Sequence, residues 1–319
     1  MENGFSESNS APGGTHGEKR TFGHVAVLLK PAIEFLAVRR GGTFIDATLG
    51  LGGHSWEIAK RLGAQGRLIG FDKDPMALER ARERLAAPPP ELADDWPQVE
   101  LVHASFADLA QHVAPVTVDG LLADLGVSSM QFEDPERGFS FQAEGPLDMR
   151  MNPYSGLTAE QVVNHFDERE LADVIYEFGE ERRSRRIARA IVRARPINTT
   201  AQLAAVVSAA ARPMNKAERR IHPATRTFQA LRILVNRELD DLRTLLSAGG
   251  AQQVLKPGGR LVVISFHSLD DRIVKNALRD GAHNGVYRVL TKKPLTADAD
   301  EIDRNPRSRS AKLRAAERT

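Results

Sequence analysis

Thr43-Phe44-Ile45-Asp46-Ala47-Thr48-Leu49-Gly50-Leu51-Gly52-Gly53-His54-Ser55 is the stretch that decides the fold of this chain. A short apolar run ends in a carboxylate and is followed by a turn rich in glycine. Apolar spacing through Trp56, Ile58, Ala59 and Leu62 then predicts a helix starting near His54 or Ser55. Glycines at such a turn permit positive φ and leave no side chain between the backbone and a small molecule lying across the strand end. An ordinary tight strand-to-helix corner wants glycine as well, so the loop alone leaves both readings open.

The segments downstream favour a ligand. Arg67-Leu68-Ile69-Gly70-Phe71-Asp72 is a second apolar strand ending in an acid, one βαβ unit later, where a carboxylate accepts hydrogen bonds from ribose hydroxyls. Asp46 just ahead of the glycine loop suits a ligand carrying an ammonium group better than one carrying a pyrophosphate. S-adenosylmethionine is such a ligand. Further strands are predicted at Val99 to His103 and Val118 to Asp124, with a helix from Met76 to Ala86 closed by Pro88-Pro89-Pro90. Alternating strands and helices, with acids at strand ends, predict an α/β protein: a Rossmann-like, mostly parallel sheet with its ligand across the carboxyl ends.

After Asp124 the pattern changes. A polar loop, Asp124 to Gln131, leads to a long non-periodic segment through Arg137 to Met151, whose aromatic and methionine content argues against disorder. Helical patterns follow at Ala159 to Phe166, Glu168 to Phe178, Arg182 to Arg193 and Thr200 to Ala211. The organisation expected is a disordered tail at 1–22, a core formed by 23–133 and 222–319, and a helical substrate-recognition insert at 134–221. Within the second part of the core, Thr225 to Leu245 reads as one long helix, Leu255 to Gly259 as a turn, Arg260 to Ser265 as the fifth strand and Val286 to Leu290 as the last.

The 319 residues, 41% of them hydrophobic, suffice for a large core, and the absence of cysteine rules out disulfides and thiolate metal sites. No apolar run is long enough to span a bilayer and no signal peptide is visible, so a cytoplasmic location is expected, with no membrane partner and no metal. A net charge of +2 conceals clusters: seven arginines lie between Arg182 and Arg195, and Arg304, Arg307, Arg309, Lys312, Arg314 and Arg318 crowd the last stretch. These clusters read either as contacts to a polyanion or as solvated faces paired with Glu177, Glu180 and Glu181.

Several long segments together resemble the RsmH (MraW) family, S-adenosylmethionine-dependent methyltransferases that modify the exocyclic N4 of a cytidine in the decoding region of 16S rRNA. The resemblance lies in Asp46 to Ser55, Asp124 to Gln131, Arg137 to Phe141 with Gly145 to Met151, His222 to Arg232, Leu261 to Lys275 and Asn305 to Arg314. It implies that Gly52, Gly53 and His54 hold the methionine part of the cofactor, Asp72 the ribose and Phe106 the adenine, with Asp124 and Gln131 as further cofactor contacts. Departures from the family pattern fall at Ala26, Asn152, Phe178 and Asp270, where proline, aspartate, tyrosine and glutamate are usual.

The resemblance also sets the chemistry to be explained. An exocyclic cytosine amine is a poor nucleophile, because its lone pair is delocalised into the ring, and it must be aligned with the methyl group and relieved of a proton. Asp124, Ser128, Ser129 and His267 are the catalytic candidates, with His267 readable equally as a residue that completes a strand-to-helix turn. The target base has to leave its stack. Phe139 and Phe141 are candidates to receive it, or else members of a core. Arg150, Arg182, Arg183, Arg186, Arg219, Arg220 and Arg226 are the candidate phosphate contacts to 16S rRNA in the small ribosomal subunit. A homodimer is allowed by the sequence and not required by it. Two other readings stay open: an enzyme of the same fold acting on another nucleic acid or a small molecule, and a non-catalytic RNA-binding assembly factor.

Overall fold

The computed structural model describes residues 26–154, 156–211 and 222–319. The expected tail at 1–22, and Arg219 and Arg220, lie outside those residues.

Alternation of side chains along each strand builds the centre of the molecule. In β1 (Thr43–Asp46), β2 (Arg67–Asp72), β3 (Gln98–His103), β4 (Val118–Asp124) and β5 (Leu255–Ser265), neighbouring apolar residues point to opposite faces. Ile45, Ile69, Leu121 and Val263 join one buried cluster, while Phe44, Leu68, Leu122 and Val262 join another on the far side. Both faces being covered explains why the strands read as nearly unbroken apolar runs. The five strands are parallel, in the order β3-β2-β1-β4-β5. Two more, β6 (Tyr287–Val289) and β7 (Lys312–Arg318), complete the sheet, with β7 antiparallel between β5 and β6. This is a Rossmann-like α/β fold, as expected.

The helices come in two groups. α1 (Leu29–Leu36), α2 (Gly53–Leu62), α3 (Pro75–Leu85) and α4 (Leu109–His112) flank the first half of the sheet, and α5 (Ser129–Glu133) follows β4. Then α6 (Ala159–His165), α7 (Glu168–Gly179), α8 (Ser184–Ala194), α9 (Thr200–Ala210) and α10 (Thr225–Asn236) share a separate apolar cluster that includes Leu171, Ile187, Leu203, Phe228 and Leu231. α11 (Glu238–Leu245), α12 (Ala251–Val254), α13 (Ser268–His283) and α14 (Ala299–Arg304) return to the sheet.

Three expectations need correction. The long helix through Thr225 to Leu245 is broken at Arg237, a non-glycine residue at φ 54°, so α10 lies with the apolar cluster of α6 to α9 and only α11 returns to the sheet. The turn expected at Leu255 to Gly259 is absorbed into β5 through a register shift against β4. The strand near Val286 is not the last. The basic stretch beyond it supplies β7, where Leu313, Ala315 and Ala316 are fully buried and Arg314 pairs with Asp271 at 2.7 Å. That cluster of cations serves the sheet as well as the surface.

Candidate active site

The parallel strands end on one side in Asp46, Asp72, His103, Asp124 and Ser265, and the segments after them enclose a cavity of about 400 Å³. The strand order reverses between β1 and β4, which is where open α/β sheets hold their ligands.

Asp72 is built as an acceptor. Its Oδ2 takes the Gly50 N–H and its Oδ1 the Asp74 N–H, both at 2.8 Å, which fixes the carboxylate and leaves further lone pairs for hydroxyl groups. Burial pushes its pKa up to about 6 despite those bonds. Gly50 lines the cavity at φ 51°, and a Cβ there would meet nothing nearer than 3.9 Å, so the space over its backbone is open. Phe106, held in a 3₁₀ turn capped by Ser105, presents its ring to the same cavity beside Leu242.

Asp124 differs. Its carboxylate lines the cavity, yet Oδ1 is buried without a hydrogen-bond partner among the described residues. Its Oδ2 lies 3.7 Å from His54 Nδ1. That contact is not an ion pair. His54 Nε2 stands 3.0 Å from the Val27 carbonyl, which can only accept, so the proton sits on Nε2 and the Nδ1 lone pair faces Asp124. Burial holds the imidazole neutral, its pKa lowered to about 4. Burial, reinforced by the charge of Asp46, raises Asp124 well above the usual carboxylate range.

Asp46 itself is overturned as a partner for a ligand's ammonium group. It is 1% exposed, accepts the Ser55 hydroxyl at 2.7 Å and the Thr48 N–H at 3.3 Å, and does not line the cavity. Gly52 is corrected likewise. At φ 72° it turns the chain toward α3, where a Cβ would stand 3.4 Å from Ala81, while Gly50, Gly53 and His54 form the cavity wall.

Gln131 lines the cavity but is already spent. Its Oε1 takes the Ser128 N–H and its Nε2 donates to Asp74 at 2.8 Å, where Arg137 also donates. Ser128 caps α5, and Ser129 accepts a hydrogen bond from Arg307 at 2.6 Å. His267 proves to be the cap of α13: Nδ1 accepts the Asp270 N–H, and burial together with the nearby Arg232 lowers its pKa to about 3. With its lone pair committed and its basicity suppressed, His267 is corrected as a proton acceptor. Asp270, in the shortened position, accepts the N–H groups of Phe266 and His267.

The candidate RNA contacts separate. Phe139 is 5% exposed inside the helical cluster and is a core residue, not a stacking platform. Phe141 is half-buried and stacks on His222 at 4.5 Å. Arg150 is folded back onto Asp148 at 2.7 Å. Arg182 and Arg186 are exposed, Arg183 half-buried, and exposed Arg226 lies 3.6 Å from Glu181.

Sequence reading missed four charged residues in the wall: Lys73, Arg232, Glu238 and Arg307. Lys73 pairs with Asp241 at 2.5 Å, and Arg232 with both oxygens of Glu238 across the break at Arg237. Only Lys73, next to the strand-end acid, carried a local signal. Arg307 enters from the far end of the chain, and nothing in its neighbourhood announces a cavity. Among the described residues no group of three or more acidic or histidine side chains could hold a metal, and no helix is long and apolar enough to cross a membrane.

Comparison with known proteins adds a pedigree to this geometry. The family described as MraW methylase matches residues 21–319. Proteins named ribosomal RNA small subunit methyltransferase H are similar over nearly the whole chain. The one from Koribacter versatilis is 72% identical over 98% of this chain and 99% of its own length, and the one from Acidobacterium capsulatum 65% identical over 92% and 98%. The Nostoc punctiforme protein of the same name is 48% identical over 94% and 96%.

Proposed function

Since this chain belongs to the MraW methylase family, we propose that it transfers a methyl group from S-adenosylmethionine to small-subunit ribosomal RNA, at the exocyclic N4 of a cytidine in the decoding region of 16S rRNA. The observation that carries the cofactor assignment is the pair formed by Asp72, locked by two backbone N–H groups, and the open backbone at Gly50. Asp72 holds the ribose hydroxyls, Phe106 and Leu242 cover the adenine, and Gly53 with His54 borders the methionine part. Bound there, the sulfonium supplies an electrophilic methyl group and a positive charge.

The protein's own contribution to the chemistry is alignment and proton removal. Asp124 has both oxygens uncommitted to hydrogen bonds, and a cation in the cavity favours its ionised form. An ionised Asp124 then accepts an N–H of the amine, orients its lone pair and takes the proton released on transfer. Ser128 and Ser129 shape the loop beside it. The helical cluster, with Arg182, Arg183, Arg186 and Arg226 at or near its surface, carries the RNA. Names of the relatives support the ribosomal substrate, and the action proposed is cytoplasmic.

Labelled methyl transfer to small subunits lacking the modification, with naked 16S rRNA in parallel and nucleoside analysis of the product, tests the reading. N4-methylated cytidine is the expected product. Label at another position would overturn the atom assignment, and no label on any RNA would overturn the substrate.

A further inference from the structure

We propose that Arg307 holds a phosphate of the target nucleotide when that nucleotide enters the cavity, which makes the 3₁₀ turn Pro306–Ser310 part of the substrate site. This rests on the reading of the protein as an RNA methyltransferase.

Among the described residues three lysine or arginine side chains line the cavity: Lys73, Arg232 and Arg307. The first two are neutralised at close range. Lys73 donates to Asp241 at 2.5 Å and to the Asn236 carbonyl at 2.8 Å, and Arg232 is clasped by Glu238 at 2.8 and 3.0 Å. Arg307 is not. One Nη donates to the uncharged Ser129 hydroxyl at 2.6 Å, and its carboxylate neighbour, Glu133, stands 3.6 Å away with 74% of its side chain exposed. Water screens a carboxylate so placed, so most of the guanidinium's charge is unbalanced within the cavity wall.

The same contacts fix its geometry. The guanidinium lies 5.2 Å from the centre of the Phe132 ring, and Ser129 pins one edge. Of its five N–H donors, those not turned to Ser129 or Glu133 are uncommitted. A flat, pre-oriented guanidinium with spare donors matches two oxygens of a phosphate and wastes little side-chain entropy in doing so. Its place is telling as well. Ser129 opens α5 directly after the loop from Asp124, so the hydrogen bond to Ser129 ties Arg307 to the segment that follows the proton acceptor in the chain. Burial of a cation without a close counter-ion is costly. An incoming anion relieves that cost, and the polyanionic substrate brings one with every nucleotide.

Arg307→Gln, Arg307→Lys and, as a packing control, Ser129→Ala test this. The readouts are KM for unmodified small subunits across a salt series and the dissociation constant for S-adenosylmethionine on protein free of RNA. Arg307→Gln is expected to raise KM for RNA about tenfold. It should flatten the dependence of log KM on log salt by about 0.7 to 0.9, one phosphate contact, and leave cofactor affinity within about twofold. Arg307→Lys keeps the charge and therefore the salt slope, and Ser129→Ala does the same. An unchanged slope in Arg307→Gln, or a loss confined to cofactor affinity, would make Arg307 a prop for α5 and overturn the proposal. A wild-type protein inactive on every ribosomal RNA would overturn the reading beneath it, whereas an active wild type with an unaltered Arg307→Gln overturns the phosphate assignment alone.

Discussion

The ends of β2 and β4 make an instructive pair. Each finishes in an aspartate facing the same cavity, and burial raises both pKa values. Asp72 is held by two backbone N–H groups, so its geometry is set before any ligand arrives. Asp124 has no such harness, and His54 Nδ1, 3.7 Å away, offers a lone pair where a proton would be welcome. Burial has therefore produced two different instruments, a fixed acceptor and a carboxyl group whose hydrogen-bonding capacity is still open. The hydrogen bonds, not the desolvation, separate binding from chemistry here.

Asp124→Asn strikes this contrast hardest. With cofactor and RNA both saturating, single-turnover methyl transfer should fall by about a hundredfold or more, the range of a lost general base. The wild-type rate should fall as the pH is lowered and Asp124 takes up a proton, and the variant's should not. Full recovery at high cofactor concentration would reduce Asp124 to a binding residue and collapse the distinction.

Asp72→Asn is the complementary change. The amide keeps one acceptor for Gly50 or Asp74 and places an N–H against the other donor, so cofactor affinity should drop by about tenfold while the saturated rate stays near wild type. A loss of rate at saturation would mean that both strand ends take part in the chemistry. Gly50→Ala asks whether the open backbone is for the ligand: an alanine at φ 51° costs about 1 kcal/mol of stability by thermal melting, and calorimetry should show weaker cofactor binding in addition.

Asp46→Asn is the mildest. Asp46 is raised to about 6, so the wild-type fold loses stability as pH climbs from about 4 through 6, where the unfolded chain has released its proton and the folded one must follow. Asparagine does not titrate. The variant's melting temperature relative to wild type should therefore rise over that interval and level off above it, and a flat difference would show that Asp46 does not carry the buried charge felt at Asp72 and Asp124.

The sheet was legible from sequence because strands covered on both faces leave continuous apolar runs, and because their acids fall where the chain turns. The glycine loop was legible as a loop, but spacing could not say that Gly50 faces the cavity while Gly52 faces Ala81. Nor could it show that Asp46 would be consumed by Ser55 and Thr48. The break at Arg237 had no glycine or proline to betray it, since an arginine in the left-handed region is held there by tertiary contacts, among them the clasp between Arg232 and Glu238 on either side. β7 was hidden by composition. Lys-Leu-Arg-Ala-Ala-Glu-Arg reads as a charged stretch, and only pairing with β5 and β6 reveals which of its residues point inward. Phe139 and Phe141, alike on paper, part company because one lies in the helical core and the other beside His222.

The placement of β7 also means that this side of the sheet cannot be completed before the final strand has been made. Residues 255–265 and 287–289 leave the translating machinery first, but the two strands they form never touch each other in the finished sheet. The lane between them is filled by residues 312–318, which pair antiparallel with both. Without them the edge of β5, which carries Leu261, Val262 and Val263, has no partner on that side. A chain truncated just before residue 312 should thus leave the edge of β5 unpaired and prone to aggregation.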